Sequence, residues 1–280
     1  MPSGEPVKIV KVVRRLRGGS QAFLVRASDG VSYVAKFSGN PQGNRTLINE
    51  CMANHLLSLL SVATPDLVIL RLDDRCEGRE ELYFSMDRRV PITSGLHLGS
   101  KCPVAPDTVA IFDFLPRTLV SRVTNLDDVG VVFAFDQWIA HDDKRQFIFA
   151  RQPNPKESPA KEPKQKNGSG FKAWAIDNGK CFGGDWAFRV KKVYAYNPIF
   201  DIHSYQDLEN SASRGAQLIQ LLPASELEAA YRNIPRDWFA PGDGTVLNIM
   251  LDELQQRQRS VVECIHDQVE AIRASKNLAS

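Results

Sequence analysis

No charge sign dominates this chain. Its 35 lysines and arginines stand against 33 aspartates and glutamates, a net charge of +2 over 280 residues, so no global basic field marks a nucleic-acid binder. Paired cysteines are missing as well. Cys51, Cys76, Cys102, Cys181 and Cys264 are odd in number and scattered, with no C-x-x-C spacing, which argues against a disulfide framework, a zinc site or a redox motif and for reduced thiols in a cytosol. Long apolar runs are also absent. Val129 to Phe135, interrupted by Gly130, is far too short to span a bilayer, and the start MPSGEPVKIVKVVRRL lacks the unbroken apolar core of a signal peptide. The expectation is a soluble, cytoplasmic protein with no membrane span. Its hydrophobic content of 43% is enough for a substantial core in one large domain or two lobes.

The first third reads as strands. Val7 to Val13 alternates Val and Ile with Lys, Arg14 to Arg17 leads into the turn Gly18-Gly19-Ser20-Gln21, and Ala22 to Arg26 and Val31 to Phe37 flank the hairpin turn Ser28-Asp29-Gly30. Lys36 therefore lies inside a strand. A helix follows Asn40 to Asn44, with Asn44 as its expected N-cap, apolar positions Leu47, Ile48, Cys51, Met52, Leu56, Leu59 and Leu60, and Glu50 in its first half. A glycine turn, a strand lysine and an early helix glutamate can form the upper half of a nucleotide site: backbone amides approach phosphates, the lysine neutralises them and the glutamate holds the lysine. The turn lacks the full G-x-G-x-x-G spacing. Leu67 to Leu72 and Glu81 to Met86 are expected to complete a five-stranded antiparallel lobe, with Pro91 to Pro106 a connector, His97 a structural or exposed residue, and a lobe boundary near residue 90.

The rest is organised around Phe133 to Phe182. Leu126-Asp127-Asp128 opens a helix with apolar positions Val129, Val132, Phe133, Phe135 and Ile139, which delivers His141-Asp142-Asp143 at its end. A second apolar run delivers Asp177 before Asn178-Gly179, so a hairpin brings two acidic sites together. Taken singly, the first pair can be read as decorating a helix end and the second site as a turn. Taken together, carboxylates on rigid elements suit divalent metal and phosphoryl chemistry. The intervening Arg151 to Gly170 has four prolines, five basic and two acidic residues and no apolar pattern, and is expected to be a disordered hairpin tip. Helices are expected over Ser225 to Arg232, Val246 to Gln256 and Val261 to Ile272, with Trp138, Trp174, Trp186 and Trp238 as packing residues.

The segments GGSQAFLV, YVAKF, NRTLINE, FDQWIAHDDKRQFIF, AIDNGKCF and IPRDWF, in that order, resemble the HipA-like kinase domain family, itself distantly similar to protein kinases and phosphatidylinositol 3/4-kinases. The resemblance implies an α+β, two-lobed protein-kinase-like fold: an antiparallel-sheet N-lobe with one helix (residues 1–90) and a mainly helical C-lobe (91–280), with ATP and Mg2+ between them. It implies that Asp143 aligns the acceptor, that Asp177 binds metal, that Lys36 and Glu50 form the phosphate-binding ion pair, and that Gly18, Gly19 and Ser20 cover the phosphates. The family loop reads N-x-D followed by a metal-binding asparagine. Here His141 replaces the first asparagine and Ile148 stands at the last, leaving Gln146 as the nearest amide that could take its metal-binding role. Two functions follow as expectations: a phosphotransferase acting on a Ser/Thr protein acceptor or on itself, or a pseudokinase that binds nucleotide or a protein partner without efficient transfer.

Overall fold

The computed structural model describes residues 4–152, 170–188 and 208–277. Strands β1 (Val7–Arg15), β2 (Phe23–Ala27) and β3 (Ser32–Lys36) form an antiparallel meander, followed by α1 (Arg45–Leu59), β4 (Leu67–Leu72), the small hairpin β5 (Tyr83–Ser85) and β6 (Arg89–Pro91), and β7 (Gly95–Lys101). The large strands close a barrel in the order β1-β2-β3-β7-β4, antiparallel at each seam except β1 against β4. Inward-facing Ile9, Val12, Phe23, Val25, Tyr33, Ala35, Phe37, Leu70 and Leu72 fill it.

Two expectations about this lobe need correcting. Glu81 to Met86 does not supply the fifth barrel strand, because β5 pairs only with β6. The fifth strand comes from within the expected connector, where β7 pairs with both β3 and β4. Gly99 explains why. A Cβ there would lie 2.7 Å from the Leu70 side chain, so the strand accommodates its neighbour only with a glycine, a residue that reads as a connector in the sequence. His97, on the same strand, is fully buried. Its Nδ1 accepts from the Ser38 backbone N–H at 3.1 Å and its Nε2 lies 3.1 Å from the Thr93 carbonyl, which defines a neutral imidazole protonated on Nε2. Burial lowers its pKa from 6.5 to about 4.

Below the barrel, β8 (Ile111–Phe112) leads through α2 (Arg117–Val120) to α3 (Asp128–Trp138), then β9 (Gln146–Arg151), β10 (Phe171–Ile176), α4 (Leu208–Gln220), α5 (Ala224–Arg232) and α6 (Asp243–Asn277). β9 and β10 pair antiparallel from Gln146↔Ile176 to Arg151↔Phe171, the expected hairpin; all but the ends of the insert between them lies outside the described residues. α3 is buried on nearly every side, and α4 approaches it so closely that a Cβ on Gly215 would sit 2.8 Å from the Val131 Cα. α6 is one helix of 35 residues where two were expected. The polar stretch Gln255 to Arg259 does not break it because that stretch has its own targets. Arg257 donates to the Gln137 and Trp138 carbonyls at the end of α3, and Gln258 donates to the Ile219 and Leu222 carbonyls at the end of α4. Both satisfy the orphan acceptors of a neighbouring helix terminus.

α1 joins the two parts. Its Leu47, Ile48, Cys51, Met52 and Leu56 belong to the same core as α3, α4 and α6. Asn44 does not cap it with its side chain, which instead accepts the Gly39 N–H at 2.7 Å; Arg45 ties the start of α1 to Asp243 of α6 at 2.7 Å. The four tryptophans are buried packing residues, and Trp238 also donates to the Leu96 carbonyl at 3.0 Å. Among the described residues no helix is long and apolar enough to cross a membrane, and all five cysteines are free.

Candidate functional site

Four elements meet under the barrel. Lys36 ends β3, Glu50 and Asn49 come from α1, Gln146 begins β9 and Asp177 follows β10. The Lys36 Nζ lies 2.7 Å from Glu50 Oε2 and 2.8 Å from Asp177 Oδ1. The other Asp177 oxygen, Oδ2, accepts from the Gln146 amide at 2.8 Å. One ammonium thus bridges the barrel helix to the hairpin carboxylate. Burial alone would lower the Lys36 pKa, but the two carboxylates more than reverse it and leave it raised. At Asp177 the Lys36 ammonium holds the carboxyl below its usual 3.8 against the opposing pull of burial, so it is ionised at neutral pH.

Two loops are zipped together around this cluster. Phe182 N–H donates to the Ile139 carbonyl at 2.9 Å, Gly183 N–H to Ala140 at 3.0 Å, and Asp142 N–H to Lys180 at 2.9 Å. His141 sits between the loops, its Nδ1 2.8 Å from the Asp143 carbonyl and its Nε2 3.3 Å from the Asp177 carbonyl. Burial, aided by the nearby Arg145 charge, lowers its pKa, so it is a neutral ring whose single N–H best serves the shorter contact. Asp143 itself is exposed, and its Oδ1 accepts the Lys144 N–H at 2.7 Å.

The directly bonded cluster among the described residues therefore contains Lys36, Glu50, Asp177 and Gln146, with Asp143 beside it and the His141 ring lying between the Asp143 and Asp177 carbonyls. Gly18, Gly19 and Ser20 stand outside it in the β1–β2 turn. There Gly18 has φ +124°, and a Cβ on Gly19 would lie 2.7 Å from Gln42 Nε2. The turn is fastened at Gln21, whose amide exchanges bonds of 2.8 and 2.7 Å with the Ser85 backbone of β5. Ile148 is half-buried in β9 and offers no polar atom.

Two residues absent from the sequence reading support the site. Asn49, fully buried, points its amide nitrogen at the carbonyls of Gly179, Cys181 and Gly184, each at 3.0 Å, while its oxygen accepts from Trp186 Nε1 at 2.6 Å. Arg145, buried after α3, forms a two-pronged ion pair with Asp136 and reaches the Ile176 carbonyl and Asn178 Oδ1. A carboxylate at position 136, inside an otherwise apolar helix, was the available signal that a buried cation must meet it.

A lysine bridging a helix glutamate and a post-hairpin aspartate beneath a small β-barrel defines a protein-kinase-like fold. The chain matches the HipA-like kinase family over residues 9–264 and belongs to it. Among solved structures it is similar to the proinflammatory kinase CtkA of Helicobacter pylori, at 12% identity, covering 93% of this chain and 98% of that one with a TM-score of 0.52, a likeness of fold. The Golgi casein kinase with Mn/ADP bound aligns at 11% identity over 94% of this chain and 73% of that one, TM-score 0.49. No curated protein matches the chain.

Proposed function

We propose that the protein is an ATP-dependent phosphotransferase acting, in the cytosol, on a Ser/Thr protein acceptor or on itself, with its lobe boundary after β7 rather than near residue 90, since β7 pairs with β3 and β4. The observation that carries this reading is the continuous bridge Glu50–Lys36–Asp177, at 2.7 and 2.8 Å. A buried lysine shared by two carboxylates is a preformed cation at the mouth of the barrel, and phosphoryl transfer depends on such positioned charge. In this reading Lys36, oriented by Glu50, binds the nucleotide phosphates under the Gly18-Gly19-Ser20 turn. Asp177 and Gln146 hold the metal. The donor set fits a hard cation: Asp177 is ionised, and Gln146, exposed beside it, spends its nitrogen on Asp177 and leaves its amide oxygen without a hydrogen bond among the described residues. When bound, Mg2+ would supply charge neutralisation on the phosphate oxygens. Asp143, exposed and next to the cluster, orients the acceptor hydroxyl and takes its proton.

One observation favours a second reading, a pseudokinase that binds nucleotide or a partner without efficient transfer: Ile148 contributes no ligand where the family loop carries an asparagine. Incubation with labelled ATP and Mg2+, wild type beside Asp143→Ala, followed by phosphosite mapping, separates the two. Label in the wild type that is lost in Asp143→Ala is the expected result. Nucleotide binding with no label in either protein would support the pseudokinase instead.

A further inference from the structure

The Arg145 guanidinium binds both neighbours of Asp177. Its Nη1 donates to the Ile176 carbonyl at 3.1 Å and to Asn178 Oδ1 at 2.6 Å, while Nε donates to Asp136 Oδ2 at 3.0 Å and Nη2 to Asp136 Oδ1. Between the clamped residues Asp177 has φ +61°, a left-handed conformation that is uncommon for residues with a side chain, although aspartate enters it more readily than most, and here both of its neighbours are held. Arg145 and Asp136 are both buried, so the clamp is anchored on α3 and is not exchanged for water. Asn178 is itself buried, with no room to find an alternative partner in solvent.

We propose that Arg145 is a positioning residue for Asp177: it fixes the left-handed turn that presents one carboxylate oxygen to Lys36 and the other to Gln146. This rests on the reading of Asp177 as the metal-binding carboxylate. The planar fork is essential to the role. A guanidinium can grip Asp136 with two nitrogens and still reach both flanks of Asp177 with the third, whereas a lysine ammonium at the same place is a single point that can keep the Asp136 pair but not the whole clamp.

Two measurements on Arg145→Lys test this, with Asn178→Ser as a second variant that cuts the clamp on the loop side and leaves the ion pair. First, the affinity for a non-hydrolysable ATP analogue is measured with and without Mg2+. The clamp predicts a loss of about 10- to 100-fold in the Mg2+-dependent part, the usual effect of removing a group that orients a metal ligand, with Mg2+-free affinity little changed. Equal loss in both conditions overturns the proposal. Second, hydrogen exchange is followed in the peptide spanning residues 176–184, against the destabilised control Leu227→Ala in the core of α5, each at the same interval below its own melting temperature. Faster exchange of that peptide in Arg145→Lys than in Leu227→Ala supports the clamp, and equal exchange in the two overturns it. Should the wild type bind no nucleotide, the proposed function fails while the exchange measurement still decides the clamp.

Discussion

On the barrel side of the site the charges are buried and committed to one another: Lys36 is 9% exposed, Glu50 4%, and their contact is 2.7 Å. On the loop side Asp143 and Gln146 are exposed, and the Asp143 side chain bonds only its own neighbour's backbone among the described contacts. Asp177 stands between the two, one oxygen on each side. In the proposed function this difference separates two kinds of work. A pair that is desolvated before any ligand arrives is preorganised for a fixed anion, whereas a solvated carboxylate at a loop is placed to meet a second molecule entering from outside.

The largest effect should come from breaking the barrel-side pair. Lys36→Met keeps the stem's packing but leaves Glu50 buried without its cation, which is expected to cost about 3 to 5 kcal/mol in denaturant unfolding. Adding Glu50→Leu should recover much of that stability and none of the nucleotide binding. If the single variant unfolds like the wild type, the two sides of the site are not different in kind.

Acid should separate the barrel interior from the site by pH window. His97 has a folded pKa of about 4 against 6.5, so the unfolded chain binds more protons between those values and stability falls as pH drops through them, by up to about 3 kcal/mol. Protonated His97 would aim an Nδ1 proton at the Ser38 N–H. His97→Asn, which can keep an acceptor there, should flatten this slope. The Asp177 contribution has the opposite origin and a lower window: its folded pKa is depressed, so its stability is complete above about 3.8 and is lost only as pH falls through the folded value. Unfolding midpoints followed downward from pH 7 through the acid unfolding of the wild type, on wild type, His97→Asn and Asp177→Asn, resolve the two.

Asn49→Ala should cost less, about 1 to 3 kcal/mol, by leaving buried carbonyls and the Trp186 N–H without partners. The effect should concentrate on the Gly179 to Gly184 loop, read by proteolysis or hydrogen exchange, and spare the barrel.

How much of this could be read from the sequence depended on local context. Lys36 and Glu50 were legible because a lysine within a β-pattern and a glutamate in an apolar helix are each out of place, and each needs a partner. Asp177 was legible through the hairpin that ends at it. β7 was not, since it carries His97 and Gly99 for reasons that belong to its neighbours, Ser38 and Leu70. The continuity of α6 was hidden in the same way, because Arg257 and Gln258 look like a break until the termini of α3 and α4 are placed beside them. Asn49 and Arg145 bond atoms more than 30 residues away along the chain, and no periodicity encodes that.

In the proposed function Asp177 and Asp143 do different jobs, and calorimetry with a non-hydrolysable ATP analogue and Mg2+ on Asp177→Asn and Asp143→Asn separates them. Asp177→Asn is expected to lose the Mg2+-dependent affinity, while Asp143→Asn binds like the wild type and, with ATP, transfers phosphate about 100-fold more slowly or worse. Equal loss of binding in the two variants, or unchanged binding in both, would contradict it.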